Sequence, residues 1–128
     1  MTETLAGTRL LIVEDETLVA MMVEDMLSDL GCVVVDVAGT VARGLSLVGD
    51  PNLALDGAIL DVNLGGEKVY PVADVLQAHR IPFIFATGYG VAGIAEGYEH
   101  VPALAKPYDL SRLERILNAV IHPEHRDR

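Results

Sequence analysis

The segment Gly57-Ala58-Ile59-Leu60-Asp61 decides the fold, because a short apolar run ends there in a carboxylate and a glycine-rich turn follows. Apolar runs of this length, bounded by turn residues, are typical of buried strands. Three further apolar runs end in polar residues, namely Glu14 and Asp15, Thr87, and Lys106. If the four runs are parallel strands of one sheet, these polar residues share the edge at which open α/β sheets bind ligands. Three carboxylates, a hydroxyl and an amine at that edge would bind a hard cation and an anionic phosphoryl group together.

Along the rest of the chain, the spacing of apolar residues alternates between the strand period and the helix period. It predicts strands at residues 8–14, 32–37, 57–61, 81–87 and 101–105. Five β/α units with short connections imply an α/β fold with a doubly wound, five-stranded parallel sheet. Right-handed crossovers leave few strand orders, and the order 2-1-3-4-5 brings the polar strand ends together. This is the flavodoxin-like order.

Helices are predicted between and after these strands. The first is marked by apolar residues at helical spacing, which are Leu18, Met22, Met26, Leu27 and Leu30. The second helix is expected to direct Val41, Leu45 and Val48 toward the core. Thr40 and Asp109 are predicted N-caps, and Gly31 is a predicted C-terminal cap. A fourth helix, expected within residues 88–97, contains Gly88, Gly90, Gly93 and Gly97. It should be short and marginal, and a tight loop is the alternative.

Composition limits the classes of protein that fit. The 128 residues are predicted to form a single domain, with a core from about residue 8 to residue 121 and a charged tail at 122–128. A net charge of −10 argues against a nucleic-acid partner, since phosphates would be repelled. No apolar run approaches the ~18 residues of a membrane span, and the first residues lack the pattern of a signal peptide. We therefore expect a cytoplasmic protein that contacts neither nucleic acid nor membrane.

From about residue 8 to residue 121, the chain resembles the receiver domains of two-component response regulators. The resemblance rests on Glu14-Asp15, Asp61, Thr87 and Lys106-Pro107, each at the end of a predicted strand. The string Phe85-Ala86-Thr87-Gly88-Tyr89 further resembles a receiver subfamily with a Phe-Ala-Thr-Gly-hydrophobic-Tyr signature. The resemblance implies a stand-alone signalling protein, not classed as an enzyme, that catalyses its own phosphorylation and dephosphorylation.

The same resemblance implies that Asp61 accepts a phosphoryl group from a sensor histidine kinase or a phosphotransfer protein, and that the product switches contacts with a downstream protein target. Mg²⁺ would be the cofactor, since it prefers oxygen ligands and keeps several waters. We expect Asp15 and Asp61 to bind it directly and Glu14 to act through water. By analogy with the family, the backbone carbonyl of Asn63 is a further ligand.

The remaining site residues are predicted to respond to the phosphoryl group. Lys106 would pair with one phosphoryl oxygen, and the hydroxyl of Thr87 would donate to another. Many receivers carry an aromatic residue three positions before this lysine, where this chain has Ala103. Possible switch accessories are therefore Gly88, Tyr89, Pro107 and Tyr108.

Two other functions fit parts of the sequence. A degenerate receiver could act as a phosphorylation-independent binding module, although the presence of Asp61, Thr87 and Lys106 argues against it. The segment from Gly88 to Gly93 also matches the G-x-G-x-x-G motif of dinucleotide-binding oxidoreductases, with Asp109 as the candidate ribose-binding acid. Such a domain needs two βαβ halves, with the motif usually in the first. Only 35 residues follow Gly93.

Overall fold

A five-stranded parallel sheet forms the centre of the computed structural model, which describes residues 5–88, 94, 95, 97–106 and 108–123. Its strands lie in the order β2-β1-β3-β6-β7. They are β1 (Arg9–Val13), β2 (Val33–Ala38), β3 (Gly57–Asp61), β6 (Phe83–Thr87) and β7 (Ala103–Ala105). Counted along the sheet-forming strands alone, this is the predicted order 2-1-3-4-5. The doubly wound α/β fold is therefore confirmed.

A small hairpin, predicted only as a turn, follows β3 directly. It pairs β4 (Asn63–Leu64) with β5 (Glu67–Lys68) in antiparallel fashion. Gly65 and Gly66 form the turn with φ of 58° and 97°, a left-handed geometry that glycine adopts at little cost. The hairpin closes on itself, because the Val69 N–H donates to the Val62 carbonyl at 3.0 Å. It therefore inserts beside Asp61 without disturbing the parallel sheet.

Helices cover both faces of the sheet. They are α1 (Thr17–Asp29), α2 (Val41–Val48), α3 (Tyr70–Ala78) and α4 (Leu110–Ile121). The Thr40 cap is confirmed, since its hydroxyl accepts a hydrogen bond from the Arg43 N–H at 3.1 Å. Gly31 follows α1 with φ of 84°, as expected of a C-terminal cap. Asp109 occupies the N-cap position of α4, as predicted, but its side chain makes no capping hydrogen bond. None of the described helices is long and apolar enough to cross a membrane.

Three residues of the predicted apolar helix faces are exposed to solvent instead, which are Leu18, Met22 and Leu45. Leu18 is 81% exposed, because α1 buries the stripe formed by Ala20, Val23 and Leu27. Leu45 is also exposed, because α2 presents Gly44 to the neighbouring helix. A Cβ at Gly44 would lie only 3.0 Å from Cγ2 of Val72 in α3, so the two helices pack closely there. Both helices carry apolar residues on more than one side, and packing selects which side is buried.

The helix predicted within residues 88–97 is not present in the described part of that segment. Residues 88, 94, 95 and 97 adopt turns or irregular backbone. Gly97 has φ of 97°, which is incompatible with a right-handed helix. Gly90 and Gly93 lie outside the described residues, as do the predicted switch accessories Tyr89 and Pro107.

Candidate functional site

Three carboxylates meet at the carboxyl edge of the sheet. β1 pairs with β3, with Val13 opposite Leu60, so Glu14 and Asp15 emerge beside Asp61. One oxygen from each of the three carboxylates lies within 4.8 Å of the others. Glu14 is 4% exposed and Asp61 is 6% exposed, whereas Asp15 is exposed to solvent. A compact set of carboxylate oxygens with one open side is a donor set that fits a hard divalent cation such as Mg²⁺.

Asn63 lies at the start of β4, two residues beyond Asp61. Its backbone N–H donates to Oδ1 of Asp61 at 3.3 Å, which holds this carboxylate oxygen in place. The turn of the hairpin also approaches the acidic cluster, since a Cβ at Gly65 would lie 3.6 Å from Oδ2 of Asp15. The ligand role predicted for the Asn63 carbonyl stays a prediction.

Lys106 supplies the positive charge of the site. Its ammonium group lies 3.1 Å from Oδ2 of Asp61, 3.3 Å from Oε1 of Glu14 and 3.9 Å from Oε1 of Glu16. The Lys106 N–H donates to the carbonyl of Thr87 at 3.1 Å, which fixes the residue at the end of β7. Partial burial opposes the charge of Lys106, but Asp61 and Glu14 together raise its pKa above the ordinary value. The amine is therefore a permanent cation beside Asp61.

Burial changes the protonation of Glu14. It raises the pKa of this carboxyl from 4.5 to about 7, with the hydrogen bond to Asp61 and the charge of Asp61 acting in the same direction. The Glu16 N–H, which donates to Oε2 of Glu14 at 3.1 Å, and the charge of Lys106 partly oppose this rise. Below about pH 7 the metal-free cluster therefore holds a proton on Glu14, which a bound cation would displace.

Thr87 and Tyr108 flank the acidic cluster. Thr87 ends β6 and is 3% exposed, and the register pairs its predecessor Ala86 with Asp61. Gly88 follows Thr87, and a Cβ there would meet nothing within 4 Å. Burial raises the pKa of the Tyr108 hydroxyl, and the charges of Glu14 and Asp61 raise it further. The predicted roles of these residues stay predictions.

Two tyrosines that the sequence analysis did not single out tie α3 to the segment after Thr87. The Tyr70 hydroxyl accepts a hydrogen bond from the Ala95 N–H at 2.8 Å, and the Tyr98 hydroxyl donates to Asp74. The two rings stack with centroids 5.4 Å apart. Burial, followed by the hydrogen bond to Asp74, raises the pKa of Tyr98 to about 12. No local motif could have revealed this pairing, since Tyr98 and Asp74 are 24 residues apart.

The glycine motif of the rival dinucleotide-binding function follows β6, which is the fourth strand of the sheet along the chain. Most of the motif lies outside the described residues. The parallel sheet in the described part has five strands, and it contains no second βαβ half on the carboxyl side of the motif. The topology therefore gives this alternative no support.

No family model matches the chain. Over 120 residues, or 90% of the chain, it is 29% identical to the phyllosphere-induced regulator PhyR of Methylorubrum extorquens, and it spans only 44% of that protein's length. The chain is 44% identical to SdrG from Sphingomonas melonis Fr1, with a TM-score of 0.80 and coverage of 94% of this chain and 99% of SdrG. The BeF3-activated conformation of SdrG gives a TM-score of 0.73 at the same identity, with coverage of 91% and 98%.

A further similar structure is the response regulator REC domain of PhyR from Erythrobacter litoralis, with 25% identity, a TM-score of 0.77 and coverage of 91% of each chain. The match to SdrG extends over almost all of both chains and is well above the identity expected of fold similarity alone. The strand order and the polar residues at the strand ends lead to the same assignment as this match. The chain therefore belongs to the receiver domain family of two-component response regulators.

Proposed function

We propose that Asp61 is the phosphoacceptor of this response regulator and that a phosphohistidine is its phosphoryl donor. The observation that carries the proposal is the contact of the buried Asp61 carboxylate with Lys106, 3.1 Å away, beside the carboxylates of Glu14 and Asp15. A buried acid with a cation on one side and a cation-binding set of oxygens on the other is arranged to bind a phosphoryl group between them. The BeF3-activated conformation of SdrG supports this function, because SdrG is 44% identical to the chain.

In the transfer, a carboxylate oxygen of Asp61 forms a bond to phosphorus while the bond between phosphorus and the donor's imidazole nitrogen breaks. The electron pair of the broken bond stays on the imidazole, which leaves neutral or takes a proton from solvent. Lys106 offsets the negative charge of the phosphoryl oxygens, and the Thr87 hydroxyl donates to one of them. Attack by water on the same phosphorus would restore the Asp61 carboxylate and release phosphate. Positioning and electrostatics account for most of catalysis in phosphoryl transfer.

Glu14, Asp15, Asp61 and the carbonyl of Asn63 would hold Mg²⁺. When bound, the metal supplies positive charge that reduces repulsion between the Asp61 carboxylate and the incoming phosphoryl oxygens. Glu14 has to lose its proton for the full set of oxygens to be available, so the residues at this site link cation binding to pH.

The partners in this proposal are a histidine kinase or phosphotransfer protein as donor and a protein as downstream target. The net charge of −10 disfavours nucleic acid as that target. A cytoplasmic location is part of the same proposal.

Intact-mass spectrometry tests the assignment. Incubation with acetyl phosphate and Mg²⁺ should add one phosphoryl group, and a phosphorylated histidine kinase or phosphotransfer protein should do the same. Asp61→Asn or removal of the metal with EDTA should abolish the addition. Asp56→Asn is a matched control, because Asp56 lies at the amino end of β3 and accepts from the Arg9 N–H at 2.8 Å. Labelling that persists in Asp61→Asn would refute the assignment, and a wild type that never labels would favour the degenerate receiver.

A further inference from the structure

A cavity lies at the opposite end of the sheet from Asp61. It has a volume of 540 Å³ and is formed by the end of α3, the chain entering β6, the chain entering β7 and the end of α4. We refer to it as the basal cavity. β6 runs from Phe83, in the cavity wall, to Thr87 at the phosphorylation site, so the two sites are roughly 13 Å apart at 3.3 Å per residue. The basal cavity is therefore separate from the acidic cluster.

The strand register explains why the sheet leaves a hollow there. β7 pairs with β6 only from Ala103, which lies opposite Phe85, so Phe83 and Ile84 have no paired residue on that side. The last backbone contact is the hydrogen bond from the Phe85 N–H to the Pro102 carbonyl at 3.0 Å. Beyond it, Ala119, Val120 and Ile121 at the end of α4 line the hollow. An apolar wall formed by Phe83, Ile81 and Val120 results.

Arg80 gives this apolar cavity a positive charge. It lines the cavity directly after α3 and has φ of 59°, a left-handed conformation in which glycine or asparagine is the usual residue. Within the described part of the chain, its guanidinium group has neither a salt bridge nor a hydrogen-bond partner. Arg80 is exposed to solvent, is held in an uncommon backbone conformation and has no acidic partner among the described residues of a chain of net charge −10, so its charge can reach a ligand in the cavity.

His100 provides a second polar group at the cavity wall, and its ring is stacked on Tyr98 with an interplanar angle of 16°. The nearby acid Glu99 is directed elsewhere, because its carboxylate accepts from the Gly97 N–H at 2.8 Å. As far as the described residues go, Arg80 is therefore open to an anion, and the flat guanidinium group matches carboxylate, sulfonate or phosphate oxygens in pairs.

From these features, we propose that the basal cavity binds a small amphipathic anion. Its apolar body lies against Phe83 and Val120, and its anionic group pairs with Arg80. The volume of 540 Å³ is within the range of small-molecule sites, about 300–1,000 Å³. Neither the phosphorylation chemistry nor the acidic cluster uses this cavity.

Two dyes with the same aromatic skeleton test the proposal. 8-Anilinonaphthalene-1-sulfonate carries the anionic group, and N-phenyl-1-naphthylamine lacks it. We expect the sulfonate to bind at one site, with amide shifts at Gln77, Phe83 and Val101, and to bind more tightly than the uncharged dye. Arg80→Asn keeps a residue that tolerates the left-handed conformation but removes the charge. It should weaken sulfonate binding about tenfold and leave the uncharged dye unaffected.

Two further variants complete the test. Arg112→Gln removes the same charge from the far end of α4 and should change neither affinity. Ala119→Phe should fill the cavity and reduce the binding of both dyes, with the dispersion of the amide spectrum showing that the variant folds. Equal affinity of the wild type for the two dyes would overturn the proposal. Sulfonate binding that is unchanged in Arg80→Asn, or that shifts amides of α1 instead of the cavity, would also overturn it.

Discussion

The ammonium group of Lys106 lies 3.1 Å from Oδ2 of Asp61, although the two residues are 45 positions apart in the chain. The contact forms because β3 and β7 end at the same edge of the sheet, with only β6 between them. The same ammonium group lies 3.3 Å from Oε1 of Glu14. One cation thus offsets two buried carboxylates, and its replacement should alter both metal binding and the response to phosphorylation.

Lys106→Met removes this charge and keeps most of the apolar stem. We expect Mg²⁺ to bind the variant at least as tightly as the wild type, because the carboxylates lose a competing cation. The response to Mg²⁺ with beryllofluoride should be much reduced, because the phosphoryl mimic loses its cationic partner. Amide shifts in the two titrations measure both effects, and Lys68→Met, at an exposed position of β5, is the matched control. Loss of Mg²⁺ binding in Lys106→Met alone would contradict this role.

Thr87 should act after transfer and not as an acceptor. Thr87→Ala should still be labelled by acetyl phosphate but should show small structural changes, because a hydrogen bond to a charged group is worth about 1.5–3 kcal/mol. Thr87→Ser keeps the hydroxyl and should restore most of the response. Amide shifts on phosphorylation that are equal in Thr87→Ala and the wild type would exclude the role.

Glu14 should make the stability of the metal-free protein depend on pH. Its pKa is 4.5 in the unfolded chain and about 7 in the folded protein, so the folded state binds more protons between these values. The free energy of unfolding should therefore fall as pH rises from 4.5 to about 7, and Glu14 should contribute at most about 3 kcal/mol to this fall. Above about pH 7, its contribution should change little. Urea unfolding across this range, compared with Glu14→Gln, measures the contribution.

In Glu14→Gln, the fall in stability over this pH range should be clearly smaller than in the wild type. The Mg²⁺ affinity of the wild type should rise over the same range, because the metal displaces the proton from Glu14. A wild type and a Glu14→Gln variant with parallel pH profiles would show that Glu14 ionises normally in the folded protein.

The hydrogen bond from Tyr98 to Asp74 should stabilise the segment before β7. Tyr98→Phe should lower the free energy of unfolding by about 1–2 kcal/mol. This loss is smaller than that expected for a fully buried hydrogen bond to a charged group, because Asp74 is exposed and water can replace the hydroxyl. Amide exchange at Val101, whose N–H donates to the Tyr98 carbonyl at 3.1 Å, should become faster. A double-mutant cycle with Asp74→Asn isolates the pair, and strictly additive effects would argue against the contact.

Several features of the fold could be predicted from local patterns. β3 was predicted with its observed bounds, Gly57–Asp61, because a short apolar run between turn residues leaves little alternative to a buried strand. The sheet order followed from the need to place Glu14 and Asp61 at one edge, together with the handedness of crossovers. Leu18, Met22 and Leu45 were misplaced, because an amphipathic pattern shows that a helix has a buried side and leaves its exact orientation to packing.

The amino-acid sequence alone was enough to predict the five strands of the parallel sheet and the residue types at its carboxyl edge, because these depend on the local alternation of apolar and polar residues, and crossover handedness then limited the strand order. Only the tertiary structure decided the contact between Lys106 and Asp61, the raised pKa of Glu14, the pairing of Tyr98 with Asp74 and the cavity beside Arg80. Each of these depends on distances and burial among residues far apart in the chain. Long-range packing sets such quantities, and no local pattern records them.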